Sequence, residues 1–460
     1  MTTSGSSKQR TLFKQLCCFT EQDQTSSNAN PSAKQATNSA GHQPIKSSIC
    51  KVHRNLRSVK NDAYDPYIVS IGPYHHGNVN YKMMQDQKLR YLAELDQAVT
   101  NKCRDAIKKL SGQVKKSYDE PLITPGPGSS YDIDEMMLED GVFIIQLVIK
   151  NLLKPNDPIF NSAWIMNSVQ RDLLLLENQI PYFILETLFG LIEKPNKTRL
   201  IQLLIDFFDS LIPEPSLGGE KLTNHQSASP NHLVDLIHIC WCPQVSGSIA
   251  IGINTNDRNQ DMVEGKRKGR SHNRNQIPTA TELTEAGVKL KNKTKGKNLF
   301  DITFQCGTLH IPPFSVDEGT ECFLRNLVAY EQHYFGDNRK TYVTDYVKLL
   351  DCLINSPKDV EILRVKGIAE NWLGDNGGVA NIFNTITDSV VLPSEDKFLY
   401  AEVFKKVNGH CESPYHSSMA SLKRNYLNGA WGYISVIAAT ILLVLTALQT
   451  WLSYLQVKHG

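Results

Sequence analysis

The longest uncharged stretch of the chain lies near its C-terminus. No charged residue occurs between Tyr426 and Val457, and the 22 residues from Ile434 to Leu455 are mostly Ile, Leu, Val, Ala and Thr. A helix rises about 1.5 Å per residue, so this segment reaches about 33 Å and can cross a hydrocarbon core of about 30 Å. The pattern predicts a transmembrane helix over residues 430–455, followed by a short tail, 456–460. A buried core helix is the alternative, but core helices seldom run so long without a charge.

The side chains of this segment suit a bilayer. Aliphatic residues would face lipid along its length, and aromatic rings stand near both ends, where the two membrane interfaces would lie. The residues that we assign to these roles are Ile434, Leu442, Leu445 and Leu455 for the lipid-facing part, and Trp431, Trp451 and Tyr454 for the interfaces.

The charges that flank the span predict its orientation. Lys423 and Arg424 precede it, whereas Lys458 and His459 follow it, so the positive-inside rule places the bulk of the chain in the cytosol. The N-terminus has no apolar core of a signal peptide. We therefore expect a tail-anchored protein of the plasma membrane or an endomembrane, and the opposite topology stays open.

Between the ends, apolar residues recur mostly at helical spacing. The predicted fold class is mainly α, with a single large helical body over residues 46–425 and a small β-hairpin. In the hairpin, Phe300, Ile302 and Phe304 alternate with polar residues, Gly307 offers the turn, and alternation resumes at Leu309. The predicted helices are 81–99, 133–155, 171–192 with a break before Pro181, 197–212, 231–241, 321–335, 343–355 and 395–407.

Two polar stretches have few large apolar residues and are predicted to be disordered, residues 1–45 and residues 243–277. The second contains a basic run, 266–270, and further lysines follow between 289 and 297. This insertion is either a solvated loop or a surface for anionic lipid headgroups. In the first stretch, Cys17 and Cys18 are either acylated as a second anchor or unmodified.

Composition adds little to this picture. The chain is 41% hydrophobic and 21% charged, with a net charge of +2, as in ordinary folded proteins. Its ten cysteines form no compact framework, so we expect reduced thiols. A membrane anchor argues against nucleic acid as a partner. The predicted partners are the lipid bilayer and a protein of unknown identity.

The motifs that usually carry chemistry are missing from the sequence. It contains no G-x-S-x-G elbow, no Walker A loop, no dinucleotide fingerprint and no H-E-x-x-H. We therefore predict no cofactor and identify no small-molecule substrate. The glycine-rich "GDNGG", 374–378, lacks a predicted strand before a helix and is interpreted as a surface turn.

The strongest metal-like group is weak. In "HLVDLIHICWC", the residues His232, Asp235, His238 and Cys242 follow helical spacing, and zinc accepts all of these ligand types. However, C-x-C without a second cysteine pair is not a zinc signature, and the intervening aliphatic residues suit ordinary packing. The favoured interpretation is a packed helix without metal.

Three carboxylates are candidates for acid–base chemistry. Glu139 and Asp140 lie in "LEDG", and Glu177 begins "ENQIP", where it is followed by Asn178, Gln179 and, after one residue, Pro181. A carboxylate at a helix break more often caps backbone N–H groups or pairs with a basic side chain. Capping of backbone N–H groups, or pairing with a base such as Arg171, is therefore favoured over catalysis.

The motif "SIGPYHHG" places two histidines in a glycine-bounded turn after the strand-like "YIVSI". Its residues are Gly72, Pro73, Tyr74, His75, His76 and Gly77. Adjacent side chains do not readily face one ion, so a shared metal is disfavoured. We interpret the motif as a structural turn whose histidines hydrogen-bond across the core.

Seven motifs occur in one order ahead of the apolar span: "SIGPYHHG", "MLEDGVFIIQL", "DLLLLENQIPYFIL", "ATELTEAGVKLK", "FQCGTLHIPPF", "RNLVAYEQ" and "TDYVKLLDCLI". Over residues 46–456 the chain resembles the plant family known as domain of unknown function 247, also called UPF0481. The resemblance implies a single-pass plant protein with no established activity or cofactor. Some grass members are linked to self-incompatibility loci, so a role in pollen–stigma recognition is one implication.

Three functional hypotheses follow. The first is a non-enzymatic membrane protein that binds a protein partner, in cell–cell recognition. The second is a metal- or carboxylate-dependent enzyme that uses His75, Asp140, Glu177 or His238. The third is a lipid-binding scaffold that uses the basic insertion.

Overall fold

The computed structural model describes residues 47–119, 132–153, 156–192, 200–212, 230–242, 276–294, 298–334, 340–394, 396–413 and 430–459. These residues form a mainly helical structure, which confirms the predicted fold class. The helices are α1 (Arg54–Val59), α2 (Lys82–Ala93), α3 (Gln97–Lys116), α4 (Ile133–Leu153), α5 (Ala163–Leu173), α6 (Tyr182–Ile192), α7 (Leu200–Phe208), α8 (Leu233–Trp241), α9 (Ala280–Glu285), α10 (Thr320–His333), α11 (Tyr342–Leu353), α12 (Pro357–Val365), α13 (Asn376–Ile386), α14 (Ala401–Glu412) and α15 (Ala430–His459).

Several predictions fall on other residues. The N-terminal segment 1–45 with Cys17 and Cys18, and the basic run 266–270, lie outside the described residues. The next described residues begin at Gln276, and the side chain of Ile277 is buried in the core. The predicted insertion, 243–277, therefore ends at least one residue too late. Ile277 belongs to the helical body, because its apolar side chain packs in the core.

Helix α4 is central to the first part of the body. Its sequence is apolar on nearly all sides, and it packs against α2, α3, α6 and α7. Gly141 allows α6 to approach closely, because a Cβ there would lie 2.4 Å from Leu188 Cδ1. A larger residue would push the two helices apart.

The helices of the second part pack around α10 and α11. Helix α10 contacts α8, α11 and α13, while α12 contacts α9 and α13. Nearly every residue from Thr320 to Glu331 is buried, including its polar ones. Helix α10 is thus surrounded by other elements, and its polar side chains need internal partners.

The predicted β-hairpin is confirmed. Strands β2 (Thr303–Gln305) and β3 (Thr308–Ile311) are antiparallel, and Cys306 and Gly307 form the turn with φ of 48° and 70°. Two positive φ values suit a tight primed hairpin turn.

The sheet has a third strand that the sequence analysis missed. β1 (Lys289–Asn292) pairs in parallel with β3, so the strand order is β1-β3-β2. Its two lysines, Lys289 and Lys291, which we grouped with the basic residues after the insertion, are exposed and alternate with the buried Leu290. A second sheet pairs β4 (Phe314–Val316) with β5 (Ala369–Asn371) in parallel. Such short parallel strands depend on long-range pairing that no local pattern encodes.

Local predictions need three corrections. The predicted helix 81–99 is two helices, α2 and α3, because Asp96 caps a new helix with its side chain. The "YIVSI" segment is not a strand, since its N–H groups donate to side chains. The "GDNGG" segment does follow a strand, β5, and begins α13, but the Asp375 carboxylate already accepts from the N–H groups of Gly377 and Gly378.

Helix α15 extends beyond the predicted span. It begins at Ala430 and ends at His459, so most of the predicted short tail is helical. Residues Ile437–Leu455 form the one helix among the described residues that is long and apolar enough to cross a membrane. The side chains of this window are not buried against the protein.

Candidate functional site

A buried carboxylate organises the segment before the "SIGPYHHG" turn. Asp172, near the end of α5, accepts hydrogen bonds from the backbone N–H groups of Tyr67, Ile68 and Val69 at 2.8–3.0 Å. Arg171 forms an ion pair with it at 2.8 Å. Burial raises the pKa of the Asp172 carboxyl, and these N–H groups and Arg171 act against that rise. The carboxylate thus replaces the strand partner that the extended segment lacks.

A second buried carboxylate holds the turn itself. Asp140 accepts from the N–H of Gly72 at 2.7 Å and forms an ion pair with Lys88 Nζ at 2.5 Å. Lys88 also donates to the carbonyl of Ser70. The Lys88 and Asp140 side chains are only 2% and 1% exposed, so each needs the other's charge.

The "ENQ" sequence between α5 and α6 supplies three more partners. Glu177 accepts from the N–H of Val52 at 2.7 Å and pairs with Arg57 at 2.8 Å. Asn178 accepts from the N–H of Ile71 at 2.6 Å and donates to the carbonyl of Val69 at 3.0 Å. These bonds hold residues 52–71 against the break between α5 and α6.

Gln179 extends the same network to α8. Its Nε2 donates to carbonyls of the turn, among them Leu175 at 2.8 Å, and its Oε1 accepts from the N–H of Leu233 at 2.9 Å. Its own carbonyl accepts from the Tyr118 hydroxyl. Pro181 follows, buried, just before α6 begins.

The "SIGPYHHG" motif is a turn, and its two histidines differ in burial. Gly72 has φ of +70°, and a Cβ there would lie 2.3 Å from the Gln179 carbonyl, so only glycine fits. Gly77 also has positive φ. Pro73 and Tyr74 are half-buried, and the Tyr74 hydroxyl donates to the carbonyl of Ile49.

The structure places the two histidines of the motif differently. His76 is exposed. His75 is half-buried, with Nε2 3.7 Å from Glu177 Oε2, which is too long for a hydrogen bond. Burial lowers the pKa of His75. The His75 side chain is 14% exposed, so its ring is largely covered by the protein.

The structure divides the four candidate metal ligands. His232 is the N-cap of α8, and its Nδ1 accepts from the N–H of Asp235. Asp235 accepts from the side chain of Asn231 at 2.8 Å and from the Tyr330 hydroxyl at 2.5 Å. Burial lowers the pKa of His232 to about 4. These two residues stabilise the start of α8.

The other two candidates, His238 and Cys242, meet a residue that we did not single out. Glu331 of α10 lies 2.8 Å from His238, measured from Oε1 to Nε2. The Cys242 sulfur belongs to the same group, in which all ligand atoms lie within 4.8 Å of one another. Glu331 also accepts from the N–H groups of Val343 and Thr344 at the start of α11. The cluster therefore joins α8, α10 and α11.

This cluster, His238, Cys242 and Glu331, carries unusual electrostatics. Burial and the charge of Glu331 raise the pKa of the Cys242 thiol well above its ordinary value. Burial raises the pKa of the nearby Asp345 carboxyl to about 7, and Glu331 adds to that rise. Both shifts favour the protonated, uncharged forms of the Cys242 thiol and the Asp345 carboxyl.

Comparisons with known proteins give the family. A family model described as a plant protein of unknown function, domain of unknown function 247, matches residues 49–445. The chain belongs to this family. Within it, a UPF0481 protein of Arabidopsis thaliana is 31% identical over 430 residues, covering 90% of this chain and 88% of that protein. A second UPF0481 protein of the same plant is 24% identical over 486 residues, covering 87% and 89%. No solved structure matches the chain.

In this member of the domain of unknown function 247 family, the motif residues converge on structural bonds. The hydrogen bonds of Asp140 go to Gly72 and Lys88, and those of Glu177 go to Val52 and Arg57. The residues that we missed are Lys88, Asp172 and Glu331. Asp172 begins the "DLLLLENQIPYFIL" motif, and Glu331 lies in "RNLVAYEQ". A charged residue inside an otherwise apolar motif was therefore the sequence feature that could have pointed to these two buried carboxylates. Lys88 looked like any solvent-facing lysine of an amphipathic helix.

Proposed function

We propose that this protein is anchored in a membrane by α15 and that its helical body binds a protein partner. The observation that carries the anchor is the exposure of the whole apolar window Ile437–Leu455. A core helix of the same composition would be covered by other elements. An exposed apolar surface of this size is unfavourable in water, so we expect lipid to cover it.

The dimensions of the window agree with a single crossing. Its 19 residues span about 28 Å as a helix, close to the thickness of a hydrocarbon core. The hydroxyl of Thr446 donates to the carbonyl of Leu442, and that of Thr450 donates to the carbonyl of Thr446. These polar groups are therefore satisfied within the helix, as lipid requires.

The proposed orientation places the body in the cytosol. Lys423 and Arg424 precede the span, and Lys458 follows it. Protease protection of membranes with a tag before Met1 and another after Gly460 tests this orientation. Digestion of the N-terminal tag from the cytosolic side supports it, and protection of that tag places the body in the lumen or outside.

Carbonate extraction of membranes tests the anchor. We expect the wild-type chain to stay in the membrane, and the double variant Leu442→Lys/Leu445→Lys to lose that behaviour, since each lysine at a span centre costs about 2.5–3.5 kcal/mol. The matched control is Gln97→Lys/Gln113→Lys, which adds the same charge at exposed positions of α3. Extraction of the wild-type chain, or retention of the double variant, contradicts the anchor.

The second half of the proposal is binding without catalysis. It is supported by the polar groups of the family motifs, which are engaged in bonds that hold the backbone. It is also supported by exposed indole rings, Trp164 and Trp372, which are 63% and 73% exposed. Aromatic side chains are enriched in protein interfaces.

Site-specific photo-cross-linking in plant membranes tests this half. A photoreactive residue in place of Trp372 should give a discrete cross-linked protein, whereas one in place of Gln113 should not. The same labelling pattern at both positions contradicts a specific interface. Pollen–stigma recognition, which the family resemblance implies, stays a prediction, and the same experiment in pollen and stigma membranes tests it.

A further inference from the structure

We propose that His238, Cys242 and Glu331 bind one Zn²⁺ ion, which would join the end of α8 to α10. Their ligand atoms lie within 4.8 Å of one another. An imidazole nitrogen, a sulfur and a carboxylate oxygen are the three donor types that zinc takes in proteins. The inference goes beyond membrane anchoring and partner binding.

The first support is the arrangement of the two residues at the end of α8. His238 and Cys242 are four apart, so their side chains lie on one helical face. Cys242 is the C-cap of α8, and its N–H donates to the carbonyl of His238 at 2.9 Å, which fixes the cysteine one turn beyond the histidine. The thiol and the imidazole are therefore held side by side by the backbone.

The second support is the fixed position of Glu331. Its Oε2 accepts from the N–H of Thr344 at 2.7 Å and from the Thr344 hydroxyl at 2.6 Å, and its Oε1 accepts from the N–H of Val343 at 2.9 Å. The remaining lone pair of Oε1 points to His238 Nε2, 2.8 Å away. A carboxylate with outer-shell bonds of this kind is a pre-oriented metal ligand.

Zinc binding would replace the hydrogen bond between His238 and Glu331 by bonds from both residues to the metal, and it would leave no buried charge without a partner. The Cys242 sulfur would lose its proton to solvent as the Zn–S bond forms. The hydrogen bond from His238 Nε2 to Glu331 Oε1 would break, and His238 would exchange its Nε2 proton with solvent for one on Nδ1, so that Nε2 gives its lone pair to zinc. The thiolate and the Glu331 carboxylate together would neutralise Zn²⁺, which suits a buried site. Tetrahedral ligands of this kind stand about 3.3 Å apart, so Nε2 and Oε1 would separate by about 0.5 Å.

The third support is the charge around Glu331. Within the described part of the chain, its ion pair is formed with His238, which is charged only when protonated. The buried Asp140 and Asp172, in contrast, have Lys88 and Arg171. A bound cation would supply the positive charge that this position lacks.

Solvent can reach the cluster from one side. The His238 side chain is 15% exposed, whereas that of Glu331 is 3% exposed. We assign the fourth ligand to a water molecule at this edge. His232 and Asp235 hold the start of α8 and are not assigned as ligands.

The test is metal titration of the full-length chain in detergent after treatment with a chelator. Co²⁺ is the probe, because a Co²⁺–thiolate bond gives a charge-transfer absorption that other ligands do not give. We expect one equivalent of Co²⁺ with this band, displaced by Zn²⁺. Cys242→Ser should abolish the band, and Glu331→Gln should weaken Zn²⁺ binding by more than about 100-fold, since outer-shell changes alone cost about 10–100-fold.

The matched control is Cys240→Ser, another buried cysteine on the same helix that is not part of the cluster. It should keep the band and the one-equivalent stoichiometry. A chain that binds no stoichiometric Co²⁺ overturns the proposal. So does a band that survives Cys242→Ser, because the thiolate would then be another cysteine. Unchanged circular dichroism of Cys242→Ser before metal is added excludes misfolding as the cause of its loss.

Discussion

The network around Asp172 and Asp140 and the cluster around Glu331 are both buried, yet their negative charges are matched differently. In the network, Asp172 has Arg171 and three backbone N–H groups, and Asp140 has Lys88 and the N–H of Gly72. In the cluster, Glu331 has a histidine and the helix start of α11. In the first arrangement each carboxylate has a lysine or an arginine, and in the second the basic partner is a histidine, which is charged only when protonated.

The difference separates what holds the fold from what could bind. Most conspicuous motif residues, such as Gly72 and the "ENQ" sequence, belong to the complete network and position the backbone. The cluster takes His238 and Cys242 from the end of α8 and Glu331 from near the end of α10. A motif that stands out in a sequence can therefore position the backbone rather than form a binding site.

The largest effect is expected from breaking the complete network. Lys88→Met leaves Asp140 buried without its cation, and we expect the free energy of unfolding to fall by about 3–5 kcal/mol. Urea unfolding of the detergent-solubilised chain, followed by circular dichroism, measures it. The control is Lys358→Met, which removes an exposed lysine 4.0 Å from Glu285 and should cost less than about 0.5 kcal/mol. Equal losses in both variants would mean that the buried pair contributes little.

Acid should destabilise the chain through His232, beside the cluster. Burial lowers the pKa of His232 to about 4 from 6.5. A base with a lowered pKa in the folded state contributes stability above pH 6.5 that is lost as pH falls toward 4. The loss amounts to about 3 kcal/mol.

His232→Asn sharpens this point, because asparagine keeps the N-cap acceptor and does not titrate. We expect urea unfolding between pH 7 and pH 4.5 to show a shallower loss of stability in the variant. At pH 7 the two proteins should agree within about 1 kcal/mol. Parallel pH profiles of variant and wild type would assign the acid sensitivity to other groups.

A smaller effect is expected at the hydrogen bond that links α10 to the start of α8. Tyr330→Phe removes the hydroxyl that donates to Asp235 at 2.5 Å, and a bond to a charged group contributes about 2 kcal/mol. Thermal or urea unfolding measures the loss. Tyr67→Phe, at an exposed ring, is the control and should change stability by less than about 0.5 kcal/mol.

The smallest effect is expected from the cluster itself without metal. Cys242→Ser should lower the free energy of unfolding of the chelated chain by about 1 kcal/mol, since one small polar group replaces another. The same measurement on Cys240→Ser provides the comparison. A loss as large as that of Lys88→Met would contradict the difference between the two regions, because the cluster without metal would then stabilise the fold as strongly as the buried Lys88–Asp140 pair.

Much of the fold could be predicted from local patterns. Helical spacing indicated most of the helices, Pro181 marked the break after α5, and the Phe300 to Ile311 alternation gave the hairpin. The strand β1 was missed because Lys289 and Lys291 resemble solvated loop residues. Its partner strand, β3, is also distant in sequence, since Lys289 pairs with Thr308, 19 residues later. Local sequence carries no information on such a pairing.

The candidate sites were less predictable. The bonding of Glu177 to a backbone N–H followed from its position at a helix break, but the identity of its partner did not. Asp140 lies inside α4, and its bond to the N–H of Gly72 could not be read from the sequence. His238 and Cys242 were recognisable as helix neighbours. Glu331, 93 residues beyond His238, was not recognisable as their third partner.

By itself, the sequence determined the mainly helical class, the family and the uncharged C-terminal helix, because each depends on residue order over short distances. The tertiary structure decided which buried charges meet. Lys88 reaches Asp140 and His238 reaches Glu331 across separate helices. The physical reason is that a buried charge is stable only beside a partner, and chain packing alone decides which partner is within reach.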